Sequence, residues 1–161
     1  MRVTAETKSR TRERLIESAR RLFETKGFDQ ATTRDISKAC GIAVGTLFNY
    51  FQTKESLGAA IIDESLRAAE EEFDARVRGD ESLRAAEEEF DARVRGDVSL
   101  AELLFMYIAT GLRHLRPSRS FARSVLEATL GPLSSGGGCE EAERLRLRHL
   151  EWVQALIARQ R

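Results

Sequence analysis

Between Thr32 and Lys54 two short runs of helical periodicity are broken by a glycine: TTRDISKAC, then Gly41-Ile42-Ala43, then VGTLFNY. Thr32 and Thr33 offer an N-cap for the first run, Arg34 to Cys40. Ile36 and Ala39 give it an inward face, and Gly41 stops it. Ile42 is the bulky apolar side chain of the turn and anchors it. The second run, Val44 to Tyr50, sets Leu47, Phe48 and Phe51 on its apolar side. Before them a longer helix is predicted from Ser9 or Thr11 to Lys26, where Leu15, Ile16, Ala19, Leu22 and Phe23 recur on one face. Gly27 ends it and Phe28 folds back over the end. Thr53 caps a fourth helix beginning at Lys54.

The remainder reads as helix throughout, with no convincing strand. Only two prolines occur, Pro117 and Pro132, so nothing interrupts a long helix before residue 117. Residues 64–80 and 81–97 are the same 17 residues twice, ESLRAAEEEFDARVRGD. In each copy Leu66, Ala69, Phe73 and Val77, or Leu83, Ala86, Phe90 and Val94, form one stripe. A shift of one copy turns the stripe by about 260° on an ideal helix. Two helices or one bent helix are therefore expected, with a break at Gly79-Asp80 and Ser82 as a new cap. The runs Glu70–Glu72 and Glu87–Glu89 read as solvated faces. Ser99-Leu-Ala-Glu102 is a capping box opening a helix to about Arg116. Further helices run through Phe121, Val125, Leu126 and Leu130, and from about Glu140 onward, separated by a loop at 134–138.

Charge is unevenly placed along the chain. Residues 1–62 hold 11 Lys/Arg against 7 Asp/Glu, and the rest hold 15 against 19. A basic head on an acidic body suits an N-terminal nucleic-acid-binding end. Several classes are set aside. Cys40 and Cys139 are too few for a disulfide framework. Met1 to Arg14 is polar and charged, without a signal-peptide pattern, and no apolar run reaches the ~18 residues of a membrane span. The chain is read as cytoplasmic, with no membrane association. His114 and His149 lack metal-ligand spacing, and no phosphate-binding loop follows a strand. No enzyme activity, metal or cofactor is expected.

Two short helices around a glycine-containing turn form the DNA-reading helix-turn-helix pattern. Its second helix lies in the major groove with N-terminal residues toward base edges. That puts Val44, Gly45, Thr46, Asn49 and Tyr50 outward. Asn and Arg side chains read base edges, Lys, Arg, Thr and Tyr hold phosphates, and Val44 is placed to meet a thymine methyl.

In this register the segment resembles the DNA-binding domain of the TetR family of regulators. The matching positions are the phenylalanine after Gly27, Thr32-Thr33, Ile36, Gly41-Ile42, Gly45-Thr46-Leu47-Phe48, Tyr50-Phe51 and Thr53-Lys54-Glu55-Ser56-Leu57, covering roughly residues 10–62. The resemblance implies an all-α chain: a three-helix helix-turn-helix domain over 1–53, joined by a connecting helix to a helical ligand-sensing and dimerisation domain over 54–161. It implies a DNA-binding surface of Thr33, Arg34, Val44, Gly45, Thr46, Phe48, Asn49, Tyr50 and Lys54. Thr33 and Arg34 would touch phosphate or a base, Thr46 a phosphate, and Lys54 a phosphate from the head of the fourth helix. Gly45 would let the backbone lie close to the duplex.

The family's way of working implies the rest. Double-stranded operator DNA is the expected partner, bound at a palindromic site by a homodimer that a small hydrophobic effector releases. Leu103, Phe105, Met106, Tyr107, Phe121 and Leu126 are conceivable pocket lining, but the same spacing serves an ordinary core, and no ligand residue is assigned. The family's final helix pair is not evident, so a truncated chain or a shortened interface is expected. Ala43 departs from the pattern, since many relatives place a serine or similar cap there. The competing reading is a helical protein-interaction module derived from such a regulator but no longer competent for DNA or ligand control.

Overall fold

A computed structural model describes residues 5–78, 99–130 and 140–158. The described residues form helices and turns, with no strand among them. In chain order the helices are α1 (Ala5–Lys26), α2 (Thr33–Cys40), α3 (Val44–Phe48), α4 (Lys54–Arg78), α5 (Leu100–Leu115), α6 (Arg119–Leu130) and α7 (Glu140–Ala158). A 3₁₀ turn, Arg116–Ser118, separates α5 from α6 at Pro117. The second repeat copy, the expected break at Gly79-Asp80 with its Ser82 cap, the loop at 134–138 and Cys139 lie outside the described residues. No described helix is long and apolar enough to cross a membrane.

The chain divides into two compact units. The first holds Met1–Asp63 and Pro117–His149. Leu15, Ile16, Ala19 and Phe23 are the buried face of α1, as their spacing predicts. The helix begins earlier than Ser9 because its first turns make their own contacts. Arg10 pairs with Glu6 at 2.8 Å, and Thr11 Oγ1 donates to the Thr7 carbonyl at 2.8 Å. Gly27 closes α1 at φ 87°, a left-handed conformation that glycine adopts without steric cost. Phe28 then turns inward and meets Phe23 edge-on, centroids 4.9 Å apart. α6 lies in the same unit, with Phe121 fully buried and 5.3 Å from Phe23.

The second unit holds Glu64–Arg116 and Leu150–Arg161. Its core is Phe73, Leu103, Tyr107 and Leu156, with Leu104, Met106, Trp152 and Val153 packed against it. Tyr107 and Trp152 stack at 4.1 Å, and Phe73 meets both edge-on. The capping box that opens α5 forms in full: Ser99 Oγ accepts from the Glu102 N–H, and the Glu102 carboxylate accepts from the Ser99 N–H.

Several sequence expectations are corrected here. Within the acidic run of the first copy, Glu70 is buried, and Glu72 accepts a hydrogen bond from Arg113, forms an ion pair with Arg76 at 2.8 Å and lies 2.6 Å from His114 Nε2. Burial pushes the Glu72 carboxyl up, but His114, Arg113 and Arg76 outweigh it and hold it below the usual range. Val77 ends the apolar stripe exposed, and so do Ile108 and Leu112 on α5. Phe105, one of the conceivable pocket residues, is 69% exposed.

Candidate nucleic-acid interface

Three short segments build the candidate surface, and each is fixed locally. Thr32 is the N-cap of α2 in an extended conformation. Its hydroxyl accepts from the Asp35 N–H at 3.1 Å, and the Asp35 carboxylate accepts in return from the Thr32 N–H at 3.1 Å and hydroxyl at 2.9 Å. Lys26 adds a 2.6 Å ion pair to the same carboxylate. These bonds, with the Lys26 hydrogen bond the largest, hold Asp35 at a pKa of about 2. They join the end of α1 to the start of α2.

The turn after α2 follows from Gly41. At φ 69° it lets its own N–H reach the Lys38 carbonyl and the Ile42 N–H reach back to Ser37 at 3.0 Å. This is a helix stop with reversed backbone hydrogen bonds. Ile42 is half-buried, as an anchor should be, but Ala39 points outward, against the sequence expectation. Ile36, Ser37 and Cys40 make the buried face of α2 instead. Arg14 of α1 donates to the Cys40 carbonyl at 2.7 Å, placing a cation at the carbonyl end of α2.

α3 hangs on one residue. Leu47 is completely buried while Phe48 beside it is 46% exposed. The helix lacks a side-chain cap at Ala43. It also stops sooner than expected. The Asn49 and Tyr50 N–H groups bond three residues back, to Thr46 at 3.2 Å and Leu47 at 2.9 Å, which tightens the backbone into a turn. Asn49 and Tyr50 therefore stand in the turn after α3. Phe51 returns to the core, 1% exposed, with the Arg12 guanidinium 5.2 Å over its ring. Thr53 then caps α4 as expected, accepting from the Ser56 N–H at 3.1 Å.

Most of the residues singled out in the sequence come to one surface region of consecutive backbone. Val44, Thr46 and Tyr50 are half-buried, and Gly45, Phe48 and Asn49 are exposed. Thr33, half-buried, and Arg34, exposed, open α2. Lys54 is half-buried and turned inward: its Nζ donates to the Phe28 carbonyl at 2.7 Å. Sequence reasoning missed Arg14, Arg12 and Asp35 as the groups that hold the motif together. The Thr32–Asp35 spacing carried a signal for one of them, since acid three residues after a threonine cap is a capping-box pattern.

This geometry, three helices with the third held outward by a glycine turn, defines a helix-turn-helix head. Residues 15–61 match the family model described as bacterial regulatory proteins, tetR family. The chain is 38% identical over 69 residues to the HTH-type transcriptional regulator UidR of Escherichia coli (strain K12), an alignment covering 43% of this chain and 35% of that protein. It is 37% identical over 71 residues to the HTH-type transcriptional repressor KstR2 of Rhodococcus jostii (strain RHA1), 44% of this chain and 33% of that protein. The chain thus spans about a third of the length of these curated relatives. Among solved structures it resembles the fatty acid degradation regulator FadR from Bacillus halodurans, with a TM-score of 0.53 at 16% identity over 91% of this chain and 69% of that one. That likeness concerns the fold. Over residues 15–61 the head is thus similar to the TetR family of bacterial regulators, in a chain whose described residues are helices and turns.

Proposed function

We propose that this chain is a DNA-binding transcriptional regulator that lays α3 in the major groove. The observation that carries the reading is Gly45. It sits inside a five-residue helix, where glycine costs about 1 kcal/mol relative to alanine. Nothing among the described residues calls for it: its φ is not positive, and a Cβ built there meets nothing within 4 Å. A glycine with neither a conformational nor an internal packing reason, on an exposed helix tip, fits close approach by an outside backbone. Thr33, Arg34, Val44, Thr46, Phe48, Asn49 and Tyr50 surround that approach with phosphate-holding and base-reading groups.

The finer reading follows the relatives. The chain acts in the cytoplasm as a repressor, binds a palindromic operator as a homodimer and is released by a small hydrophobic effector. The repressor in the name of the Rhodococcus relative supports the sign of control. One observation favours a second reading as a protein-interaction module: Phe105, Ile108 and Leu112 form an exposed apolar stripe on α5.

The test is Gly45→Ala, measured in two ways on DNA selected from a random pool by the parent chain. Melting of the free protein is expected to rise, by about 1 kcal/mol of stability, while affinity for the selected duplex falls. Asn49→Ala is expected to change preference at particular base pairs. Unchanged affinity for both variants would remove this surface from DNA contact. Failure of the parent to select any duplex at low salt would favour the interaction module.

A further inference from the structure

Lys54 stands at the head of α4, where the resemblance puts a phosphate-pairing cation, yet its ammonium is occupied by the protein itself. Nζ donates to the Phe28 carbonyl at 2.7 Å and to the Asp29 carbonyl at 3.4 Å. It also lies 4.4 Å from the centroid of the Phe28 ring. An ammonium over an aromatic face is attracted by the ring's negative quadrupole, more strongly as water is excluded. Phe28 is 6% exposed and fixed from two sides, edge-on to Phe23 and stacked 6.4 Å from Phe121. The loop it anchors ends at Thr32, the cap of α2, and Lys54 begins the helix that follows the α3 turn. One side chain thus ties the entrance of the helix-turn-helix to its exit.

We propose that Lys54 is a positioning residue, a latch that fixes α2 and α3 relative to α4, and that it supplies no phosphate charge. This rests on the DNA-binding reading above. Two of the three ammonium protons are taken by backbone carbonyls that sit beyond α1. Without the latch, the Phe28 and Asp29 carbonyls lose their charged donor and the start of α4 is free to shift against the loop. The reading surface then spends less time in its binding geometry, and affinity falls by that fraction.

Salt dependence separates the two roles. A lost phosphate contact makes the plot of log affinity against log salt shallower by about 0.9. A lost latch lowers the line without changing its slope. Lys54→Met keeps the aliphatic stem over Phe28 and removes the donors. It is expected to bind about tenfold more weakly at every salt concentration, with the parent's slope, and to melt lower without DNA. Phe28→Leu leaves Lys54 in place and is expected to do the same. The double variant is expected to lose less than the two single losses combined, as for groups acting together. A Lys54→Met slope shallower by about 0.9, or DNA-free melting equal to the parent's, or additive losses in the double variant, would overturn the latch. If the parent binds no duplex, the proposed function falls, and the melting comparisons still judge the latch by themselves.

Discussion

Asp35 gathers three hydrogen-bond donors, the Lys26 ammonium, the Thr32 N–H and the Thr32 hydroxyl, and its carboxyl is lowered from 3.8 to about 2. A carboxyl held low in the folded state favours folding in its ionised form. Its contribution is whole above pH 3.8 and is lost as the pH falls toward about 2. Asp35→Asn is therefore expected to melt below the parent at pH 6, with the gap narrowing between pH 4 and 2; melting followed by circular dichroism across that range would show it, and a constant gap would contradict it. Gly58 makes the opposite kind of demand. A Cβ there would collide with Val125 Cγ2, a side chain 1% exposed in the first unit's core. Gly58→Ala is expected to destabilise by about 1–3 kcal/mol through overpacking, read as a lower denaturation midpoint. At this scale the sequence was partly legible. Caps and stops follow local rules, so Thr32, Gly41, Thr53 and Ser99 were readable. Arg14 reaches the Cys40 carbonyl, 26 residues on, and Lys54 reaches the Phe28 carbonyl, 26 residues back. No local spacing announces such pairs.

The helices themselves were the most legible level, because a 3.6-residue period is a direct record of which side is apolar. What the period does not record is which apolar side is covered. α5 shows this: Leu103, Tyr107, Thr110 and Gly111 are buried on one face, while Phe105, Ile108 and Leu112 are exposed on the other. Apolar on both sides, it gives periodicity no means to choose. Glu72 was misread for the related reason that an acidic run looks solvated until the cations of another helix meet it. α3 is the weakest element of the head, since it is a single turn and more, with an extended Ala43 at its N-cap that gives no side-chain cap. Ala43 has φ −69° and ψ 147°, the backbone conformation from which a serine hydroxyl can accept from the first turn. Ala43→Ser is expected to stabilise the head by about 1 kcal/mol, measured as a raised denaturation midpoint. An unchanged or lowered midpoint would mean that the turn before α3 is held too differently for a cap to form. Leu47 is the complementary case: Leu47→Ala removes the completely buried side chain that pins α3 and is expected to cost about 2–5 kcal/mol.

For the molecule as a whole, no local pattern reveals that residues 117–149 share a compact unit with the N-terminal head. The contact of Phe121 with Phe23 joins elements far apart in the chain. Neither segment of that unit contains the 17-residue repeat. Removing residues 81–97 is therefore expected to leave amide exchange protection at Leu15, Ile36 and Leu47 unchanged, and loss of protection there would show the head to depend on the duplicated stretch. The central claim is that the outward face of α3 and the start of α2 hold a DNA duplex. It is tested most directly by the affinity of the parent chain for its selected duplex between about 50 and 200 mM salt. Release of counterions from several neutralised phosphates should make log affinity fall linearly and steeply with log salt, and Asn49→Ala should keep the slope while altering base preference. Affinity that is flat with salt, or absent at the lowest concentration, would contradict it.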